Sequence, residues 1–340
     1  MSKLLSIIIP VYNNSKYLKR CFESVLKLDS NDIEIIIIDD GSTDGSSEIC
    51  DLYEAKNDNV IVKHIENSGV SRARNLGINL ANSKYIMFLD SDDYFNIEEL
   101  KKTLVTIKEQ YYDIYICNYS YIDMNGRTIY NSNNKDGEIT NIDACNGLIF
   151  GKLCFAIGSI IVNSNISKCI MFNEQCRYGE DTEYIYKCLI NSKKLIVLNS
   201  CIYNYINNSD SAMNTITTDR FDVVFARIRF YNYVCSNFPQ YKELEDNLIK
   251  YNIPEAIAQL IINLPYEGIK YKPLSSYMNE KGINNMIDDL LAINIYPEFK
   301  CVFQEWKKGN FKFFLKRRFK CIKDTTKHSM YLMLKKLRWI

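Results

Sequence analysis

Only two histidines, His64 and His328, occur among 340 residues, too few for a zinc site built on imidazole, so carboxylates would have to hold any metal. None of the 12 cysteines forms a C-x-x-C pair. Several, Cys117 and Cys188 among them, lie inside apolar runs where a thiol behaves as a small hydrophobe, so the set reads as reduced. No apolar stretch nears the ~20 residues that a membrane-spanning helix needs; residues 153–162 fall far short. The first residues, KLLSIII, lack a small-residue cleavage site and run into Pro10, which favours a buried first strand over a signal peptide. No G-x-G-x-x-G follows that strand, which disfavours a dinucleotide fold; PVYNN stands there instead. The expected location is cytoplasmic or peripheral, at the inner face of the cell membrane.

With 47% hydrophobic residues the chain can bury a substantial core, and its length suits one medium domain plus an extension. The net charge of +1 hides an asymmetry. Residues 307–340 hold 12 Lys and Arg and a single acid, Asp324, for a local +11; the 30 basic and 40 acidic residues that remain give −10. In the tail, Phe311, Phe314, Leu315, Phe319 and Ile322 recur at helical spacing between Lys312, Lys316, Arg317, Lys320 and Lys323. Such a pattern suits an anionic membrane surface. No stacking platform or motif for nucleic acid accompanies it.

The first half alternates short apolar runs with helical patterns. Runs at 5–11, 33–39, 60–64, 85–90 and 114–119 read as strands, each reaching a polar or acidic end. Helical spacing lies between them, as in Leu18, Cys21, Phe22, Val25 and Leu26. This rhythm predicts right-handed crossovers and an α/β fold with a mostly parallel central sheet. A run such as IIII at 35–38 suits a strand covered on both faces. Past residue 120 the rhythm weakens; 131–137 reads as a turn, and 178–190, 219–237 and 241–264 read as helices. The expected division is a catalytic domain at 1–215, with a donor half at 1–120 and an acceptor half at 120–215, followed by a helical region at 216–340.

In open α/β sheets ligands bind beyond the carboxyl ends of the strands, and four polar clusters fall there. They are PVYN at 10–13, DDGSTD at 39–44, NSGVSRARN at 67–75 and DSDD at 90–93. Three aspartates within four residues suit a hard divalent cation whose other ligands are water and phosphate oxygens. Asp92 and Asp93 equally suit a cap on the helix expected near Asn96. Thr43 and Asp44 fit an ordinary turn and helix cap. Arg72 and Arg74, opening a helix beside small residues, suit either a solvated face or a diphosphate. A fifth feature, GEDTE at 179–183, puts acids in a first helical turn, where they complement the helix dipole or serve as a base.

Taken in order, SIIIPVYN (6–13), IDDGSTD (38–44), GVSRARNLG (69–77), FLDSDD (88–93) and GED (179–181) resemble glycosyltransferase family 2, over roughly residues 4–215. The resemblance implies a GT-A fold and inverting transfer from a UDP-sugar to the hydroxyl of a glycan or glycolipid. It implies that Pro10, Tyr12 and Asp40 surround uracil, with Asn13 and Asn67 on the nucleoside side and Arg74 (or Arg72) in the basic wall. Asp90, Ser91 and Asp92 would form the Asp-x-Asp motif, with Asp92 the direct ligand of Mn²⁺ or Mg²⁺. Asp181 would be the general base and Glu180 its neighbour. One departure stands out: relatives carry Arg after a Tyr-x-Tyr pattern, whereas Tyr203-Asn204-Tyr205 is followed here by Ile206, leaving Ser211 in that loop. The competing readings are a metal-dependent nucleotidyltransferase and a catalytically silent scaffold.

Overall fold

The computed structural model describes residues 3–207, 217–264 and 271–310. The acidic first part of the chain yields ten strands: β1 (Leu5–Val11), β2 (Ile33–Asp39), β3 (Val60–His64), β4 (Tyr85–Phe88), β5 (Tyr94–Phe95), β6 (Ile114–Ile122), β7 (Thr128–Asn131), β8 (Gly137–Ile139), β9 (Ile160–Asn163) and β10 (Leu195–Ile206). Seven helices alternate with them: α1 (Ser15–Glu23), α2 (Ser46–Glu54), α3 (Val70–Leu80), α4 (Ile97–Glu109), α5 (Asn141–Ile149), α6 (Ser164–Cys169) and α7 (Glu180–Ile190). The first three strands coincide with the apolar runs. β4 ends two residues early, at Phe88, although the Leu89 N–H still donates to the Ile8 carbonyl of β1 at 2.9 Å.

All strands join one sheet in the order β3-β2-β1-β4-β9-β6-β10-β5, with β7 added to β6 and β8 to β10. Parallel pairing dominates, through β1 with β2 and β4, β2 with β3, and β6 with β10. β9 is antiparallel to both of its neighbours. The run at 131–137 separates β7 from β8, so the predicted turn is a loop between two short strands.

Strands of Ile and Val carry side chains on both faces, and each face finds a helical cover. On one, Leu5, Ile7, Ile9 and Ile35 meet Leu18, Cys21 and Phe22 of α1 and Leu100 and Leu104 of α4 in a single buried cluster. On the other, α3 lies so close to β1 that a Cβ on Gly77 would stand 2.3 Å from Ile8 Cγ2. No larger residue fits there without moving the helix.

The chain forms two compact units: Met1–Gln175 with Tyr184–Ser209, and Cys176–Glu183 with Asp210–Ile340. The described part of the second is helical: α8 (Asp222–Asn237), preceded by a 3₁₀ turn at Thr218–Phe221, then α9 (Lys242–Asn247), α10 (Ile253–Asn263), α11 (Tyr271–Glu280), α12 (Ile283–Ala292) and α13 (Pro297–Lys307). It has its own core, which includes Phe221, Val224, Ile257, Ile261, Met278, Phe303 and Trp306. Among the described residues no helix is long and apolar enough to cross a membrane. Residues 311–340, with the aromatic and basic pattern of the tail, lie outside the described residues, as does Ser211.

Candidate functional site

The loops after β1, β2, β3 and β4 leave one edge of the sheet together, because those strands run parallel. Pro10 lies two residues beyond the last β1–β4 pair, Ile8 with Phe88, so its missing N–H is not needed by the ladder on that side. The chain then turns through Asn13, whose φ of 49° is the one positive value outside glycine among the described residues. Asparagine tolerates this region better than most side chains.

Asn13 and Asn14 fasten the first loop to two others. Asn13 Oδ1 accepts the Thr43 N–H at 2.8 Å, and the Asn13 N–H reaches Ser42 Oγ at 3.0 Å. The Asn14 N–H donates to Ser46 Oγ at 3.0 Å, and Asn14 Nδ2 donates to Ser91 Oγ at 2.7 Å. Asp44 accepts from the Ser15 N–H at 2.9 Å and from the Ser46 hydroxyl at 2.6 Å, binding the starts of α1 and α2 to one carboxylate. Desolvation opposes its ionisation, but the bonds from Ser46 and Ser15 prevail and hold its pKa at about 2. The structural reading of Asp44 thus stands.

The paired acids after β2 have separate tasks. Asp39 is buried; its carboxylate accepts from the Ser42 N–H at 3.1 Å, the Ser47 hydroxyl at 2.6 Å and His64 Nδ1 at 2.8 Å. Asp40 reaches the third loop, taking the N–H groups of Ser68 at 2.7 Å and Gly69 at 2.8 Å, one on each oxygen. A carboxylate has about four acceptor sites, so Asp40 retains capacity for a further donor. The third loop passes so near that a Cβ on Gly41 would lie 2.8 Å from the Asn67 nitrogen. Gly41 also has φ of 74°, which favours glycine twice over.

Arg74 and Arg72 now separate. Arg74 is buried, pairs with Asp90 Oδ1 at 2.8 Å and lies over the Phe172 ring at 5.3 Å, whereas Arg72 is exposed. Asn75, next along α3, holds the Phe172 backbone from both sides, donating to its carbonyl at 3.0 Å and accepting its N–H at 2.8 Å.

The three acids after β4 also differ. Asp93 is buried, accepts from the Tyr203 hydroxyl and takes the Ile206 N–H at 2.7 Å. Burial, then the Asp92 and Asp90 carboxylates, push its pKa well above the usual range. None of the three caps α4, because Asn96 does so, accepting from the Glu99 N–H at 3.4 Å. Asp92 is half-buried, and its carbonyl accepts from Arg20 Nη2 at 2.7 Å. Arg20 in turn lies over the Tyr94 ring at 5.0 Å.

Four loops are therefore laced into one ring that gathers Pro10, Asn13, Asp40, Asn67, Arg74, Asp90, Ser91 and Asp92. Tyr12 stands on it with half its surface exposed. Asn14, Arg20 and Asp93 support the ring; of these the sequence singled out Asp93 alone, as an acid of the DSDD cluster, and the position of Asn14 beside the first cluster hinted at a role. Among the described residues no three His, Cys, Asp or Glu side chains group to hold a metal unaided. With Asp93 committed to Tyr203 and Ile206 and Asp90 to Arg74, the donor set fits a hard cation held by Asp92 and otherwise by ligand and water oxygens.

Glu180 and Asp181 open α7 and belong, up to Glu183, to the second compact unit. Asp181 Oδ1 accepts the Thr182 N–H at 2.6 Å, and both acids are half-buried. Ile206, at the end of β10 opposite Ile122, is buried, and its N–H donates to Asp93.

The sequence model of the family described as Glycosyl transferase family 2 matches residues 6–174, a span that takes in the whole ring and stops short of Glu180. Glycosyltransferase GlyG of Streptococcus pneumoniae is 32% identical over 238 residues, covering 67% of this chain and 77% of GlyG. The processive diacylglycerol beta-glycosyltransferase of Mycoplasma genitalium is 27% identical over 245 residues, covering 65% and 69%. Among solved structures, S. aureus TarS 1–349 in complex with UDP-GlcNAc superposes with a TM-score of 0.65 at 20% identity, over 90% of this chain and 92% of that one.

Proposed function

The chain belongs to glycosyltransferase family 2, with the GT-A type of fold, and from this we propose that it moves a sugar from a UDP-sugar to a hydroxyl of a glycan or glycolipid, inverting the anomeric centre. The observation that carries the donor side is the laced ring, with Asp92 half-buried and Tyr12 exposed at the carboxyl ends of parallel strands. TarS was solved with UDP-GlcNAc, which supports a UDP-sugar donor, and the Mycoplasma relative is named for diacylglycerol, which supports a lipid acceptor. We assign the protein to the making of a surface glycan or glycolipid.

In this reading Tyr12 supplies a face for the uracil ring, and Pro10 and Asp40 border it, with the spare acceptor capacity of Asp40 meeting the base N–H. Asn13 and Asn67 border the nucleoside. Arg74 stays with Asp90 and fixes that carboxylate beside Ser91. Asp92 would hold Mn²⁺ or Mg²⁺, which when bound would supply Lewis-acid stabilisation of a leaving diphosphate. Asp181 takes the proton from the attacking hydroxyl, and Glu180 borders the acceptor; a positioned base of this kind contributes about 10²–10⁴-fold.

The test is calorimetric titration with UDP, with and without Mn²⁺, on the wild type and on Asp92→Ala. The expected result is affinity raised at least tenfold by the metal, lost in the variant at an unchanged melting temperature. Equal affinity with and without metal would remove the role of Asp92, and an absence of UDP binding by folded protein would remove the donor assignment.

A further inference from the structure

The segment that carries Glu180 and Asp181 is tied along one face of α8. The Arg177 N–H donates to Asp222 Oδ2 at 2.8 Å, and Arg177 Nη1 meets Asp219 Oδ2 at 3.3 Å. Gly179, at φ of 81°, lies against the helix so closely that a Cβ would stand 3.2 Å from Val223 Cα and 3.5 Å from Ala226 Cβ. Glu183 is buried; its Oε2 accepts from Arg229 Nε at 2.8 Å, and Nη2 stands 2.7 Å away in the same ion pair without hydrogen-bond geometry. Asp222 and Ala226 are four residues apart on α8, and Val223, Ala226 and Arg229 follow at steps of three, so they share one side of the helix, with Asp219 in the turn just before it.

The last of these ties differs in kind. The Arg177 pair is exposed, and exposed pairs contribute little. Glu183 is a carboxylate withdrawn from water, one turn below Glu180, in the same first stretch of helix as Asp181. Removing the guanidinium takes the ion pair from a carboxylate held out of water, which favours a shift of the turn toward solvent.

We propose that Arg229 is a positioning residue: through buried Glu183 it fixes the first turn of α7 and with it the carboxylate of Asp181. The inference rests on the reading of Asp181 as the base. It makes the helical extension part of the catalytic apparatus, because α8 supplies the guanidinium. Displacement of about 1 Å in a reacting group can cost 10²-fold in rate, so a loosened turn shows in turnover before it shows in donor binding.

The experiment compares wild type, Arg229→Gln, Arg229→Lys, Glu183→Gln and Asp181→Asn in the full chain. UDP release from UDP-GlcNAc, UDP-glucose and UDP-galactose is followed with dioleoylglycerol vesicles or water as acceptor, alongside UDP titration and hydrogen–deuterium exchange. Arg229→Gln and Glu183→Gln are expected to lower kcat about 10–100-fold, with donor KM and UDP affinity within about twofold of wild type. Arg229→Lys should recover part of the loss. Exchange at the amides of Asp181, Thr182 and Glu183 should quicken about tenfold while β1 and β2 stay as protected as before.

Wild-type kcat in Arg229→Gln, when Asp181→Asn has lost transfer, would overturn the proposal and leave the base standing. Transfer retained by Asp181→Asn would instead overturn the base itself. Unchanged exchange at the first turn in Arg229→Gln would overturn the proposal whichever donor the enzyme uses.

Discussion

His64 stands between two carboxylates, with Nδ1 2.8 Å from Asp39 and Nε2 2.9 Å from Asp51. The hydrogen bond to Asp39 is the main cause of a raised histidine pKa, with Asp51 adding to it against the opposing effect of desolvation. A raised folded-state pKa means that protonated His64 stabilises the fold fully below about pH 6.5 and loses that contribution as pH climbs through the folded value. The ring is 44% exposed, so solvent screening limits the effect to about 1 kcal/mol or less. His64→Gln should therefore unfold at lower urea than wild type at pH 6, and the gap should close by pH 9. A gap that stays constant across that range would show that charge plays no part. At this scale the residues of the ring were legible as polar clusters at strand ends, but not the partner that each one takes. DSDD gives no sign of which acid is buried; Tyr203, 110 residues further on, decides that it is Asp93. Nor does DD reveal that the first acid looks to His64 and the second to Ser68 and Gly69, because both partners arrive by tertiary approach.

Elements were legible where their pattern was continuous. β1 and β2 coincide with runs dominated by Ile, interrupted by Ser6, Pro10, Glu34 and Asp39, because strands covered on both faces need mostly apolar residues. β3, by contrast, starts apolar and ends in exposed Lys63 and His64. β9 has four residues, and β10 mixes buried and exposed positions across register shifts between Leu198 and Tyr203. Neither carries a periodic signal of its own. The helical stretch at 241–264 is α9 and α10 joined by a π-helical segment at Leu248–Asn252, which leaves the apolar rhythm nearly unbroken. Loops that end strands were the most readable part of the site, since a run of apolar residues announces where its polar end will be. Asp44 shows how one such residue serves two elements, α1 and α2. Its lowered pKa means that its contribution is complete above about pH 4 and fades as pH falls through about 2. Asp44→Ala should cost about 1 kcal/mol at neutral pH, the usual worth of a helix-start carboxylate, and almost nothing at pH 2, as read from thermal melts of both proteins.

Across the whole molecule, charge divides the chain into an acidic body and the basic stretch at 307–340. We propose that this stretch brings the enzyme to an anionic bilayer, where a lipid-borne acceptor would reside. Vesicles with 30% phosphatidylglycerol should pull down the full chain at low salt, and binding should fall steeply by 0.5 M NaCl, since each basic side chain near such a surface is worth about 1 kcal/mol. A chain lacking 311–340 should stay in solution with its UDP affinity intact; vesicle binding by that shorter chain would rule the proposal out. The sheet order has a consequence of another sort, for the growing chain on the ribosome. β1 to β4 are consecutive in sequence and can pair as soon as they emerge, but the outer side of β4 belongs to β9, whose first residue follows Phe88 by 72 positions. At synthesis rates of about 5–20 residues per second, that open edge waits roughly 4–14 s for its strand. During this interval β4 presents unpaired backbone to its surroundings, which makes the nascent first half the stage at which this protein most needs a chaperone.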